Sequence, residues 1–483
     1  MTILAIDQGT TGTTTIIYDK QGHPVKKAYQ EFNQIYPRSG WVEHDPLEIW
    51  QTVLDTCQEV LAGFKDEIEA IGITNQRETV VLWDKKTGEP IYNAIVWQCR
   101  RTANFCKKLQ EHDQLFRSKT GLPIDAYFSG TKIKWILEEK QPKNMADIMA
   151  GTIDTWLIWK LTDGQVHATD YTNASRTLIY NINDKKWDKE LCDILEVPDF
   201  ILPTVKNSSD DFGSVETISQ LKGVPIYGVA GDQQAALFGQ TCFNQGEIKN
   251  TYGTGCFLML NTGSEPIFSK NGLLTTLAIN DKGEPCYALE GSIFIGGASI
   301  QWLRDELKIL TEAGQSEEIA LGLKNNEGVY LVPAFVGLGA PHWNMQARGI
   351  LTGLTRGTNR KHLIRAALES MAYQTYDVVK AMVEDTGLNI GKLAVDGGAI
   401  VNNFLMQFQA DLLDIPILCP EMIESTSLGV AYLAGLKSGA WTSSKELKKL
   451  KKIEREFKPK MDSGARDELL QGWQKALRQA MTV

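Results

Sequence analysis

Residues 2–19, TILAIDQGTTGTTTIIYD, decide how the start of this chain folds. An apolar, β-branched run ends in an acid, Asp7, and passes through Gly9, Thr10, Thr11 and Gly12. It leaves as a second β-branched run closed by Asp19. Two strands joined in this way form a hairpin whose turn offers backbone N–H groups and hydroxyls to an anion, with no Cβ in the way at the glycines. A carboxylate at the end of the first strand can hold a divalent cation beside that anion. Walker loops meet the same demand with a lysine and a following helix, whereas here a strand follows. An ordinary glycine/threonine hairpin with one stray acid has the same local pattern, so the turn alone leaves both readings open.

The 483 residues are 43% hydrophobic and 23% charged, the composition of an ordinary globular protein able to bury full cores. A net charge of -9 argues against a nucleic-acid partner, which requires a basic face. The one basic run, Lys445 to Lys452 (KELKKLKK), follows Ser443-x-x-Glu446 and reads as a capping box leading into a solvated helix face. The opening MTILAIDQG carries no basic segment followed by a long apolar one, and no apolar run reaches the ~18 residues of a membrane span. A cytoplasmic protein without an integral membrane segment is expected. Eight scattered cysteines lack C-x-x-C spacing and six histidines form no ligand cluster, which argues against zinc and disulfide frameworks.

Further along, Val25 to Phe32 extends the hairpin into a meander. Asp45, Pro46 and Glu48 then open a helix as cap, first residue and capping-box partner, with Ile49, Trp50, Val53, Leu54, Cys57, Val60 and Leu61 at helical spacing. Ala70 to Thr74 and Thr79 to Trp83 read as strands, and their alternation with helices implies an α/β sheet covered on both faces. The pattern recurs: Val224 to Ala230 is a buried strand running into Gly231-Asp232-Gln233-Gln234 and an Ala-rich helix, and residues 250–260, NTYGTGCFLML, are again strand, Gly/Thr turn, strand. Two such hairpins suggest a duplicated fold with a cleft between residues 1–244 and 245–483, the boundary falling at the loop-like Phe243-Asn244-Gln245-Gly246. A third glycine signal, Lys392 to Ala399 followed by Asn402 and Asn403, reads either as a plain strand-to-helix turn or as space for a flat base.

Together these segments resemble the FGGY carbohydrate kinases, of the hexokinase/actin-like ATPase fold. The resemblance spans nearly the whole chain: GWVEHDPLEIW (40–50), GITNQRET (72–79), NAIVWQCRR (93–101), DAYFSGTKIKWILEE (125–139) and TDYTNASRT (169–177) in the first half. The second half adds AGDQQAALFGQ (230–240), NTYGTGCF (250–257), ALEGSIFIGGASIQWLRD (288–305) and LAVDGGAIVNNFLMQFQAD (393–411). It implies an α/β fold of two actin-like, ribonuclease H-like ATPase domains with a nucleotide and substrate cleft between them, and, within the family, ATP-dependent phosphorylation of glycerol to glycerol 3-phosphate. It also implies Mg²⁺ as cofactor and a homodimer or homotetramer.

By the same resemblance Arg77, Glu78, Trp97, Tyr127, Asp232, Gln233 and Phe257 contact glycerol. The chemistry is consistent, since a small triol has little apolar area and is recognised by fixed hydrogen bonds between aromatic walls. Adjacent Arg77 and Glu78 can both reach it only if the backbone turns there. Without the family context an Arg-Glu pair is a solvated ion pair and Asp232 a helix cap. With it, Asp232 is the general base. Thr10, Thr11 and Gly12 hold phosphates from one half and Thr254 from the other, Gly297, Gln301, Gly398 and Asn402 line the nucleotide, and Asp7 with Asp232 positions the metal. Thr14 departs from the family pattern, which places an arginine there, and that departure keeps a non-catalytic glycerol sensor open beside kinases of glycerol or of another polyol or sugar. The stretch Ser208 to Gly223, where relatives carry a regulatory histidine or a basic loop binding fructose 1,6-bisphosphate, has no His, and Lys222 is its only cation.

Overall fold

The computed structural model describes residues 2–482. Its first sheet has five strands in the order Ile226–Gly231, Ile68–Asn75, Thr2–Gln8, Gly12–Asp19, Pro24–Glu31. Thr2–Gln8 pairs antiparallel with Gly12–Asp19, placing Asp7 opposite Thr14, and parallel with Ile68–Asn75. The second sheet repeats this plan over seven strands. There Ile248–Tyr252 pairs antiparallel with Cys256–Gly263 and parallel with Leu393–Asp396. The expected α/β duplication is therefore present in the strand pairing itself. A third, four-stranded sheet, in the order Glu43–His44, Ala94–Ile95, Val80–Asp84 and Ile148–Thr152, takes up the chain directly after residues 76–79, in its inner strand Val80–Asp84.

Period-two alternation sends the first sheet's side chains to two covered faces. Leu4, Ile6 and Ile17 pack with Ile49 and Val53 of the helix Pro46–Leu61, while Ile3, Ala5, Ile16 and Tyr18 pack with Leu428, Val430 and Tyr432 of the helix Ser425–Ser438. The hydroxyls of Thr13 and Thr15 bond those of Thr52 and Thr56 at 2.7 and 2.8 Å, which satisfies polar groups on an otherwise apolar face. Asp7 and Thr14 lie on the face opposite Thr13 and Thr15.

Several local expectations change. Asp45 caps its helix through Leu47 N, but Glu48 accepts from the backbone and side-chain N–H groups of Asn33, so no capping box closes. The end of the preceding meander supplies donors nearer than the cap. Likewise Ser443 makes no cap hydrogen bond, and Glu446 accepts from Thr442 N and Oγ1. Gly12 is required by packing: a Cβ there would meet the Tyr29 ring at 2.6 Å and Gln30 O at 2.7 Å, on the neighbouring strand. The basic run is not wholly solvated either, since Lys451 turns inward. No helix among the described residues is long and apolar enough to cross a membrane. The eight cysteines are buried and free.

Candidate active site

At the first turn, Gly9 N donates to Gly12 O at 2.9 Å and closes the hairpin. Thr10 Oγ1 accepts from Trp97 Nε1 at 2.9 Å, which leaves its own O–H free to donate. One hydrogen bond thus ties the phosphate-type turn to an aromatic wall, and Trp97 in turn meets Tyr127 edge to face with centroids 5.7 Å apart. Thr11 is exposed at the tip.

Arg77 and Glu78 follow the strand Ile68–Asn75, and the backbone does turn between them. Glu78 has φ 62°, and Thr79 N donates to Arg77 O at 2.8 Å across a three-residue turn. A left-handed, non-glycine residue here costs about 1–3 kcal/mol unless its surroundings hold it. Buried Lys132 does so by donating to the carbonyls of Glu78 and Tyr127, at 3.0 and 2.5 Å, and Ser129 Oγ adds a bond to Glu78 O at 3.2 Å. Burial pushes the Lys132 ammonium down to about 8.

A chain of buried charges organises the polar side of the cleft. Arg77 Nε binds Asp232 Oδ1 at 2.9 Å, Nη1 binds Glu290 Oε2 at 2.5 Å and Gln234 Oε1 at 3.2 Å, and Nη2 binds Glu290 Oε1 at 3.0 Å. Glu290 also accepts from Arg176 Nη2 at 3.1 Å, and Arg176 Nε binds Glu78 Oε1 at 2.6 Å. Burial pushes the Glu290 carboxyl up, but the two guanidiniums outweigh it and hold it at about 2. Burial raises Glu78 despite the same arginines. Among the described residues, Arg176 Nη1 is the only buried guanidinium nitrogen without a hydrogen-bond partner.

Asp232 begins the helix Asp232–Gly239 with its side chain 31 % exposed. Oδ1 takes Arg77 and Gln233 N, while Oδ2 makes no protein hydrogen bond. Asp7, opposite Thr14, is half-buried, and desolvation together with the charge of Asp232 pushes its carboxyl up to about 8. Gln233 Oε1 and Phe257 O are both held by Lys249, at 2.5 and 3.3 Å.

In the second half of the chain two glycine turns grip each other. Thr254 O accepts from Gly296 N and Ala298 N, at 2.8 and 3.1 Å, and Gly297 N donates to Gly253 O at 2.9 Å. Cβ atoms at Gly255 and Gly297 would meet Ile293 O and Gly253 O at 2.4 and 2.8 Å, so these glycines permit backbone contact. Gln301 is exposed on the helix Ala298–Asp305. After Leu393–Asp396, Gly397 has φ 90°, and a Cβ at Gly398 would find no atom within 4 Å, which leaves room for a flat group. Asn402 is less available: Oδ1 caps the next helix through Leu405 N, and Nδ2 binds Ser316 Oγ.

The structure therefore brings the expected polyol-side residues into one connected network and sets the Gly297 turn against the Gly253–Thr254 turn. Arg176, Glu290, Lys132 and Lys249 belong to the same network and were not singled out from the sequence. Only Glu290 stands as a charge in a mainly apolar run, YALEGSIF, and that mismatch is the one signal the sequence offers; Arg176, Lys132 and Lys249 sit among polar neighbours that hide them.

The FGGY family of carbohydrate kinases matches twice, its N-terminal domain over residues 2–239 and its C-terminal domain over residues 248–438. A glycerol kinase of Caldanaerobacter subterraneus subsp. tengcongensis is 56% identical over 488 aligned residues, covering 99% of this chain and 98% of the relative. A glycerol kinase of Clostridium botulinum is likewise 56% identical, with the same coverage. Among solved structures, Plasmodium falciparum glycerol kinase with ADP superposes with a TM-score of 0.93 at 38% identity, covering 99% of this chain and 98% of that one.

Proposed function

Because the chain belongs to the FGGY family of carbohydrate kinases, with glycerol kinases similar to it from end to end, we propose that it transfers the γ-phosphoryl group of ATP to a primary hydroxyl of glycerol. The products are glycerol 3-phosphate and ADP. The observation that carries this is the Arg77–Asp232 pair at 2.9 Å, with Asp232 Oδ2 unpaired at a helix start.

Glycerol lies between Trp97, Tyr127 and Phe257, which cover its CH faces, and its hydroxyls meet Glu78 Oε2, Gln233 and the remaining N–H of Arg77. Arg77 holds Asp232 through Oδ1 and so orients Oδ2, which accepts the hydroxyl proton as the new P–O bond forms. A loose transition state keeps that proton on oxygen until late, so a weakly basic carboxylate suffices. Thr10, Thr11 and the Gly9–Gly12 backbone hold the β- and γ-phosphates from one side and Thr254 from the other. Gly297, Gln301, Gly398 and Asn402 line the nucleotide. Asp7 and Asp232 form a mutually repelling carboxylate pair that suits a divalent cation, and bound Mg²⁺ would neutralise phosphate charge there.

The halves 1–244 and 245–483 act as the two jaws, and closure excludes water as competing acceptor. A cytoplasmic homodimer or homotetramer is the corresponding cellular form. Purified protein should produce ADP with MgATP and glycerol in a coupled assay. A larger polyol or sugar with higher kcat/KM, or binding without turnover, would overturn the assignment.

A further inference from the structure

The basic run has a consequence away from the cleft. Past the end of the helix Ser444–Leu450, Lys451 points into the protein and donates to Gln240 O at 2.7 Å. A cavity of about 480 Å³ lies against it, lined by Lys392, Lys448 and Lys451 and walled by the apolar Ile248, Leu418 and Ile453. Lys448 is neutralised by Glu247 at 3.2 Å. Among the described residues Lys392 and Lys451 have no carboxylate within ion-pair distance, and burial, followed by the charge of Lys392, pushes the Lys451 ammonium down against the opposing charges of Asp396 and Glu247. Two cations without an ion-pair partner therefore line one cavity, with Glu247 as its one carboxylate, in a chain of net charge -9. Such an arrangement is unfavourable when empty and favourable around an anion.

The cavity stands apart from the candidate active site. Ile248–Tyr252 and Leu393–Asp396 run parallel, and their far ends carry the Gly253–Gly255 and Gly397–Gly398 turns. The lysine cavity opens at their beginnings, at Ile248 and Lys392. A short route joins the two. Gln240, whose carbonyl holds Lys451, donates from Nε2 to Asp396 Oδ2 at 3.0 Å, directly before Gly397.

We propose that this cavity binds a phosphate monoester with a compact apolar body, and that its occupancy regulates nucleotide binding through Gln240 and Asp396. Lys392 and Lys451 take the phosphate, while Ile248, Leu418 and Ile453 take the body. The regulatory half rests on the nucleotide reading above. The binding half does not, because it is measured without turnover.

The experiment is isothermal titration of the full-length protein with inorganic phosphate and with phenyl phosphate, comparing parent, Lys392→Gln, Lys451→Gln and the control Lys449→Gln. A site weakened at least about tenfold in Lys392→Gln and Lys451→Gln but kept in Lys449→Gln supports the proposal. Lys392 is exposed, so that variant remains informative should Lys451→Gln fold poorly. Affinities for both probes unchanged in Lys392→Gln would overturn it. Equal affinity for the two probes would overturn the ester assignment in favour of free phosphate. A phosphate-induced change in KM for ATP that is identical in parent and Lys392→Gln would overturn regulation.

Discussion

Glu290 grips Arg77 with both carboxylate oxygens, at 2.5 and 3.0 Å, across 213 residues of sequence. The same carboxylate holds Arg176, which holds Glu78. A strand of the second sheet therefore sets the orientation of Arg77 and, through Arg176, of Glu78, the residues proposed to bind the polyol. Arg77 commits four of its five N–H groups to Asp232, Gln234 and Glu290, so it is first an organiser and only second a direct donor.

Replacing Glu290 by Gln keeps the shape and removes the charge, leaving two buried guanidiniums under-compensated. Breaking a buried pair in this way costs about 3–5 kcal/mol, a fall in Tm of roughly 5–15 °C. The glycerol KM should rise at least about tenfold while the ATP KM stays put. A variant that melts early but keeps its glycerol KM would make Glu290 a stabiliser alone.

Arg77→Ala should act on both kinetic constants. Loss of a charged donor to a glycerol hydroxyl is worth about 1.5–3 kcal/mol, or roughly 10–150-fold in KM. Because Arg77 also fixes Asp232 Oδ1, kcat should fall with it. Steady-state kinetics with each substrate varied in turn separates the effects, and equal weakening of glycerol and ATP would place Arg77 in general support instead.

Asp232→Asn should reduce kcat by roughly 10²–10⁴, the usual loss for a general base, with glycerol binding retained. The amide still accepts from Arg77, so the network around it should survive. A kcat within a few-fold of the parent would remove Asp232 from proton transfer.

Much of the fold is legible in the sequence because its signals are local: the β-branched runs around Gly9–Gly12 and Gly253–Gly255, and the Asp45-Pro46 helix start. The turn between Arg77 and Glu78 is legible as a requirement, since strand alternation forbids both side chains on one face. Glu290, Arg176 and Lys249 are not legible, because each partner lies far along the chain and a single buried charge carries no periodicity. The capping boxes fail for a related reason. Glu48 and Glu446 match the spacing, yet Asn33 and Thr442 offer donors in the folded chain that a four-residue pattern does not register.

Asp7 gives a pH dependence. Its carboxyl is raised from 3.8 to about 8 by burial and by Asp232, so between those values the folded state holds a proton that the unfolded chain has lost. Stability should therefore fall as pH rises through this window. Asp7→Asn removes the penalty, and its Tm advantage over the parent, measured without nucleotide or metal, should widen from pH 5 to pH 8. The same variant should lose most Mg²⁺-dependent activity. In the parent, apparent Mg²⁺ affinity should rise about tenfold per pH unit below about 8, because the cation must displace that proton. A Tm difference that does not change with pH would mean that Asp7 is already ionised.

Thr14→Arg tests whether the missing cation matters. Thr14 sits directly opposite Asp7 in the hairpin, and Lys27, near enough to lower Asp7's carboxyl slightly, is itself paired with Glu424. A guanidinium at residue 14 would reach the phosphate turn and stand beside Asp7 at once. Toward phosphate it adds a charge-assisted bond of about 1.5–3 kcal/mol, which should lower the ATP KM or raise kcat. Toward Asp7 it opposes burial, so the pH at which Mg²⁺ affinity levels off should move to the acid side. Both shifts come from one side chain and should appear together in pH-resolved kinetics. A lower ATP KM with an unmoved Mg²⁺ profile would place the guanidinium on phosphate alone, and no gain in either would show that this turn works without a cation at residue 14.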